Sequence, residues 1–188
     1  MIRRFIERRG VTTAFVWGFS EATLFFFLPD IVVGAVALYS LRRGLRAAGS
    51  AIAGAVVGGA TLYLVTRGVG VSIRDLLTGL PAIPADFFTT VQEGIRDDGG
   101  VAIVRGPWVG IPYKLYAAEW ALGGHGLLSL ILWTIPARAL RIVSFAVLAH
   151  FGARLFRRLF GERERLLLGG YALVWVGIYT AYFSSVGW

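Results

Sequence analysis

The chain has 188 residues, is 56% apolar, carries a formal charge of +8 and contains no cysteine. Its mean hydropathy is +0.68, whereas soluble domains are only about 45–50% apolar, so an ordinary soluble domain is excluded and a membrane protein is expected. Disulfide and thiol chemistry are excluded with the cysteines. The basic residues lie between apolar runs, where retention of Lys and Arg on the cytoplasmic side explains them without invoking nucleic acid.

Residues 1–10 are a short basic start. From Val11 to Leu41 the chain is apolar except for Glu21 and the pair Pro29-Asp30. A straight helix of that length would reach roughly 46 Å, against a hydrocarbon core of about 30 Å. Arginines flank it on both sides: Arg3, Arg4, Arg8 and Arg9 before, Arg42, Arg43 and Arg46 after. Both ends therefore favour one membrane face, and a re-entrant hairpin that turns at depth satisfies length and charge together. The run has no small-residue cleavage site and does not read as a cleavable signal peptide.

Residues 47–66 are expected to span the membrane. Gly54 and Gly58 lie at GxxxG spacing, which lets a second helix approach closely, within one subunit in preference to a dimer. Residues 67–100 form a polar loop in which three arginines meet five acids, as suits the non-cytoplasmic side; RDLL and DFFTTVQEGI within it read as short interfacial helices. Residues 101–124 are a second broken run, interrupted by Pro107, Gly110 and Pro112 and carrying Arg105, Lys114 and Glu119. Spans are expected at 125–153, with Pro136, Arg138 and Arg141 inside, and at 166–186, whose Trp175, Tyr179, Tyr182 and Phe183 read as an interfacial aromatic belt. The basic stretch 154–165 between them reads as cytoplasmic. The expected architecture is thus an all-α, single-domain membrane bundle with two oppositely entering re-entrant hairpins. A broken run followed by a span occurs twice, which is the form of an inverted repeat with its site near the midplane.

The candidate site residues are Glu21, Asp30, Arg105, Lys114, Arg138 and Arg141. A carboxylate at bilayer depth costs about 2.5–3.5 kcal/mol and must be paired, hydrated or protonated. Asp30, following Pro29, also suits capping of the returning half-helix. Arginine's planar fork suits phosphate. Lys114 is the chain's one lysine; it can release a proton when desolvated, or snorkel to the interface. Glu119 reads as a partner for Lys114. Arg138 and Arg141, three apart on one helix face, read as counter-ions for Glu21 and Asp30 or as a second phosphate clamp. His125 and His150 are too few for a zinc site, and neither a phosphate loop nor a nucleophile elbow is present, so no metal and no cofactor is expected.

Glu21 followed by LPDIVVGAVAL at 28–38, RGPWVG at 105–110 and W-x-x-P-x-R at 133–138 resemble the DedA family of the VTT (SNARE-associated) superfamily, over roughly residues 15–155. Two features depart from that family's pattern: the turn is Pro-Asp without the usual glycine, and Ile111 stands where the second family arginine falls, which leaves Lys114 as its substitute. The resemblance implies a lipid transporter of the bacterial inner membrane, a flippase for phosphatidylethanolamine or undecaprenyl phosphate linked to the proton-motive force. It also implies membrane lipids as partners, with an anionic headgroup as substrate, and homo-oligomers are possible. The residues alone also admit a transporter of a small solute or ion, a lipid phosphatase-type membrane enzyme, and a membrane component whose charges only set topology.

Overall fold

A computed structural model describes residues 2–25, 28–80 and 83–186; side chains are described from residue 9 to residue 185 within those limits. The described residues are helical, without strands. In chain order the helices are α1 (Ile2–Thr23), α2 (Asp30–Ala37), α3 (Leu41–Val69), α4 (Ile73–Thr78), α5 (Asp86–Asp98), α6 (Val101–Arg105), α7 (Tyr113–Leu122), α8 (Leu127–Phe160) and α9 (Glu164–Val186). Three stretches, Leu41–Thr78, Leu127–Phe160 and Glu164–Ser185, are long and apolar enough to cross a membrane. That is the character of an integral membrane protein. Within the polar stretch 67–100 the two short helices expected at RDLL and DFFTTVQEGI are present as α4 and α5, and α3 runs on through a short 3-10 turn at Gly70–Ser72 into α4.

Helix α3 is the hub, packed against α1, α2, α7 and α8. Its fit to α1 depends on glycine. A Cβ on Gly54 would lie 2.1 Å from the Phe15 carbonyl oxygen, and one on Gly18 would lie 2.2 Å from that of Ala51. The two backbones are therefore in contact, and the GxxxG spacing serves packing within one chain. Ser40 starts α3, its hydroxyl accepting from the Arg43 N–H at 3.4 Å.

The long run from Val11 breaks as expected, between Thr23 and Asp30. Helix α1 unwinds where the Leu24 and Phe25 N–H groups both donate to the Ser20 carbonyl, at 3.0 and 2.8 Å. Pro29 then starts α2, having no N–H to lose at a helix start. Asp30 does not cap α2 with its side chain. The first N–H groups of α2 already donate to turn carbonyls: Ile31 to Leu28, and Val32 and Val33 to Pro29. The carboxylate is left for a stronger, charged partner. At the other end of α2, two side chains of α8 reach its last carbonyls. His150 Nδ1 lies 2.9 Å from the Ala37 oxygen, and the Arg157 guanidinium donates to that of Leu38 at 2.9 Å. Basic groups at a helix C-terminus satisfy carbonyls that have no partner in the helix.

The second break parallels the first. After α6 come a 3-10 turn at Gly106–Trp108, Gly110 at φ +83°, and extended Pro112 at the start of α7. Gly110 adopts a conformation that L side chains rarely take.

Gly18→Val is expected to destabilise the α1–α3 contact by about 2–3 kcal/mol, since the obstacle is backbone that cannot rotate away. Gly49→Ala, on an exposed site of α3 with nothing within 4 Å of the added Cβ, is expected to be neutral or stabilising by up to about 1 kcal/mol. Thermal unfolding in detergent compares the two.

Candidate functional site

Both acids of the first broken segment find arginines on α8. Glu21, at the end of α1, accepts from Arg138 Nη2 at 2.6 Å, with side chains 5% and 0% exposed. Asp30, the first residue of α2, pairs with Arg141. The spacing of three places both guanidinium groups on the face of α8 that meets the break. These are the counter-ions expected from the sequence.

Neither pair is saturated. Arg138 Nε and Nη1 and Asp30 Oδ1 are buried without a hydrogen-bond partner. Arg138 also lies over the Tyr113 ring, 4.4 Å from its centroid, an attraction of charge to ring face. Tyr113 is fixed in turn, its hydroxyl donating at 2.6 Å to Thr134, whose own hydroxyl donates to the Leu130 carbonyl at 2.7 Å.

Lys114, second residue of α7, is 1% exposed. Its ammonium does not snorkel to an interface. It turns inward and donates to the Phe25 carbonyl, so one residue of the second break is tied to the backbone of the first. Lys114 also feels the charges of Glu21 and Arg138. Five charges therefore converge from four helices: Glu21, Asp30, Lys114, Arg138 and Arg141. Three are positive and two negative.

A cavity of about 250 Å³ opens beside them. Glu21, Lys114 and Arg141 supply its charged wall. The rest is apolar or aromatic, from Phe25 and Leu28 in the first break, Pro107, Trp108 and Gly110 to Tyr113 in the second, Ile83 ahead of α5, and Ile178, Tyr179 and Tyr182 of α9. The α9 residues were not legible as site residues. They read as an interfacial belt, yet Trp175 is buried against Phe145, ring centroids 5.0 Å apart. Tyr171, Tyr179 and Tyr182 turn their hydroxyls inward. The available signal was the spacing 171, 175, 179, 182, which places polar-tipped aromatics along one helix face.

Arg105 lies outside this cluster. It ends α6 and pairs with Asp98 at 2.7 Å, its side chain 70% exposed. Glu119 is also elsewhere. Five residues beyond Lys114 it points about 140° around the helix, too far for the expected pair. It accepts two bonds from Arg74, at 2.7 and 2.9 Å, and a third from Gln92 at 2.9 Å. This bidentate fork fastens α4 and α5 to α7. The carboxylate is buried and satisfied, while Arg74 keeps 35% of its side chain exposed.

The chain resembles no protein-family model, no curated protein and no solved structure closely enough to count as a match.

Removing one member of the Glu21–Arg138 pair strands a buried charge. Glu21→Ala is expected to cost about 3–5 kcal/mol, while the double variant Glu21→Leu, Arg138→Met regains most of it. Arg105→Ala is expected to stay within about 0.5 kcal/mol, as solvent-screened surface pairs do. Denaturant unfolding in mild detergent measures all three; equal losses in all would show that burial does not set these energies.

Proposed function

We propose that this protein is a transporter that carries the phosphate-bearing headgroup of an anionic lipid across the bilayer, in linkage with protons. The observation that supports the reading is the charge cluster at the meeting of the two breaks, with one positive charge in excess beside a 250 Å³ cavity. Charges inside a membrane protein mark ion or substrate paths. A surplus cation selects an anion, and guanidinium with ammonium is the donor set that phosphate takes best.

The mechanism follows from the unsaturated pairs. A headgroup phosphate in the cavity meets Lys114 and Arg141 on the wall. A proton taken up by Asp30 or Glu21 removes the competing carboxylate charge and frees the paired arginine for phosphate. Loss of that proton re-forms the pair and expels the anion. The two breaks then act as two half-gates, the first entered from the cytoplasmic side and the second from the other, as the flanking charges suggest. The cation duty expected of Arg105 passes on this reading to Lys114 and Arg141. The reading agrees with what the resemblance implies, a divergent DedA-type protein of a bacterial inner membrane. A lipid-phosphatase reading lacks support, because among the described residues the cavity wall carries no nucleophile paired with a base. The cavity's size and sign also favour one alternative, a small water-soluble anion as cargo.

The test is headgroup translocation in reconstituted vesicles containing phosphatidylglycerol. Glu21→Gln and Lys114→Ala are each expected to lower the rate at least tenfold, and Arg105→Ala to change it less than twofold. Wild-type rates in the first two variants would overturn the mechanism.

A further inference from the structure

One wall of the cavity is unlike the rest. Helix α9 closes it through Ile178, Tyr179 and Tyr182, yet α9 is otherwise turned outward, with Leu166, Leu173, Val174 and Val176 all more than half exposed. What reaches from α9 to the breaks includes a row of hydroxyls. Tyr171 donates to the Ile31 carbonyl at 2.8 Å, Tyr179 accepts from the Leu28 N–H at 2.7 Å, and Tyr182 donates to the Gly110 carbonyl at 3.2 Å. The last two bonds end on residues that themselves line the cavity, one in each break. On the outer side of Tyr179 lies a second hollow, open to the apolar surface and lined by Ile31, Trp175, Val176, Tyr179, Thr180 and Phe183 among others. Tyr179 is thus a wall shared by a charged cavity and an apolar groove.

We propose that the site takes an amphiphile from the side: the anionic headgroup lies in the cavity against Lys114 and Arg141, the hydrocarbon chain lies in the α9 groove, and α9 parts from the two breaks at Tyr179 and Tyr182 to admit it. The proposal rests on the headgroup reading above and decides between its two cargoes. Every methylene of a lipid chain resists transfer to water, so a headgroup in the cavity needs an apolar path for its chain immediately beside it. The groove supplies that path, separated from the cavity by one aromatic side chain. A soluble anion needs neither groove nor door. The hydroxyl bonds are neutral, of the kind that breaks and re-forms at modest cost. When Tyr179 moves away, the Leu28 N–H it satisfied is available to a headgroup oxygen, so the door and the ligand compete for the same donor.

The absence of native cysteine makes the test direct. Cysteines placed at Ile31 and Thr180, on opposite sides of the groove, are bridged by a short bis-methanethiosulfonate and assayed in vesicles carrying acyl-labelled phosphatidylglycerol. Bridging is expected to lower translocation at least tenfold, and reduction to restore it. In a second measurement, Ile111→Cys, on the cavity wall and only 7% exposed, is labelled by a membrane-soluble maleimide. Adding Tyr179→Phe and Tyr182→Phe is expected to speed that labelling about five- to tenfold, as loss of two such bonds implies. A bridged protein that translocates lipid at the unbridged rate overturns the lateral route while leaving the headgroup site standing. A wild-type protein that translocates no lipid overturns both.

Discussion

A carboxylate held in an apolar interior must find a cation, and the neighbouring elements are placed so that Glu21 and Asp30 do. Both acids sit at the ends of helices that stop short, α1 and α2, and both partners come from a single long helix, α8. The two ion pairs fix the break against α8, and His150 and Arg157 of the same helix hold the far end of α2. A helix of eight residues is far too short to be stable alone. It persists because α8 satisfies its ends and α3 covers its side.

The same pairs carry the functional reading because they are incomplete. A structural ion pair gains most when every donor and acceptor is used, as Glu119 is by Arg74 and Gln92. The pairs at the break leave donors on Arg138 and an acceptor on Asp30 unused. A site that must exchange one partner for another cannot hold either too firmly. The contrast between the two clusters, one saturated and one not, separates the joint from the site within the same chain.

Much of this was legible in the sequence for definite physical reasons. The break near Pro29 followed from length and from proline's missing N–H. The counter-ions followed from the cost of an unpaired intramembrane charge and the three-residue spacing of Arg138 and Arg141. What was not legible was direction around a helix axis. Arg105 and Lys114 both looked like cations in a broken run, but one ends α6 facing outward to Asp98 and the other begins α7 facing inward to Phe25. Hydropathy does not distinguish those rotations. The α9 tyrosines were hidden for a related reason: a hydroxyl on an aromatic ring suits a lipid headgroup zone and a backbone carbonyl equally well. Asp30 was ambiguous between cap and counter-ion until the turn carbonyls were seen to serve the first N–H groups of α2.

In the proposed mechanism an anionic headgroup comes into contact with the ammonium of Lys114 where the two breaks meet. The chain has a single lysine, so labelling lysine with 15N marks one side chain only. Solid-state NMR of the 15Nζ to 31P dipolar coupling, in bilayers containing phosphatidylglycerol, then reads this contact directly. The proposed mechanism requires a coupling corresponding to a few ångströms, as a charge-assisted N–H···O bond to phosphate gives, and its loss when cysteines at Ile31 and Thr180 are bridged. A Lys114 signal that shows no coupling to phosphorus, in preparations that translocate the lipid, would contradict it.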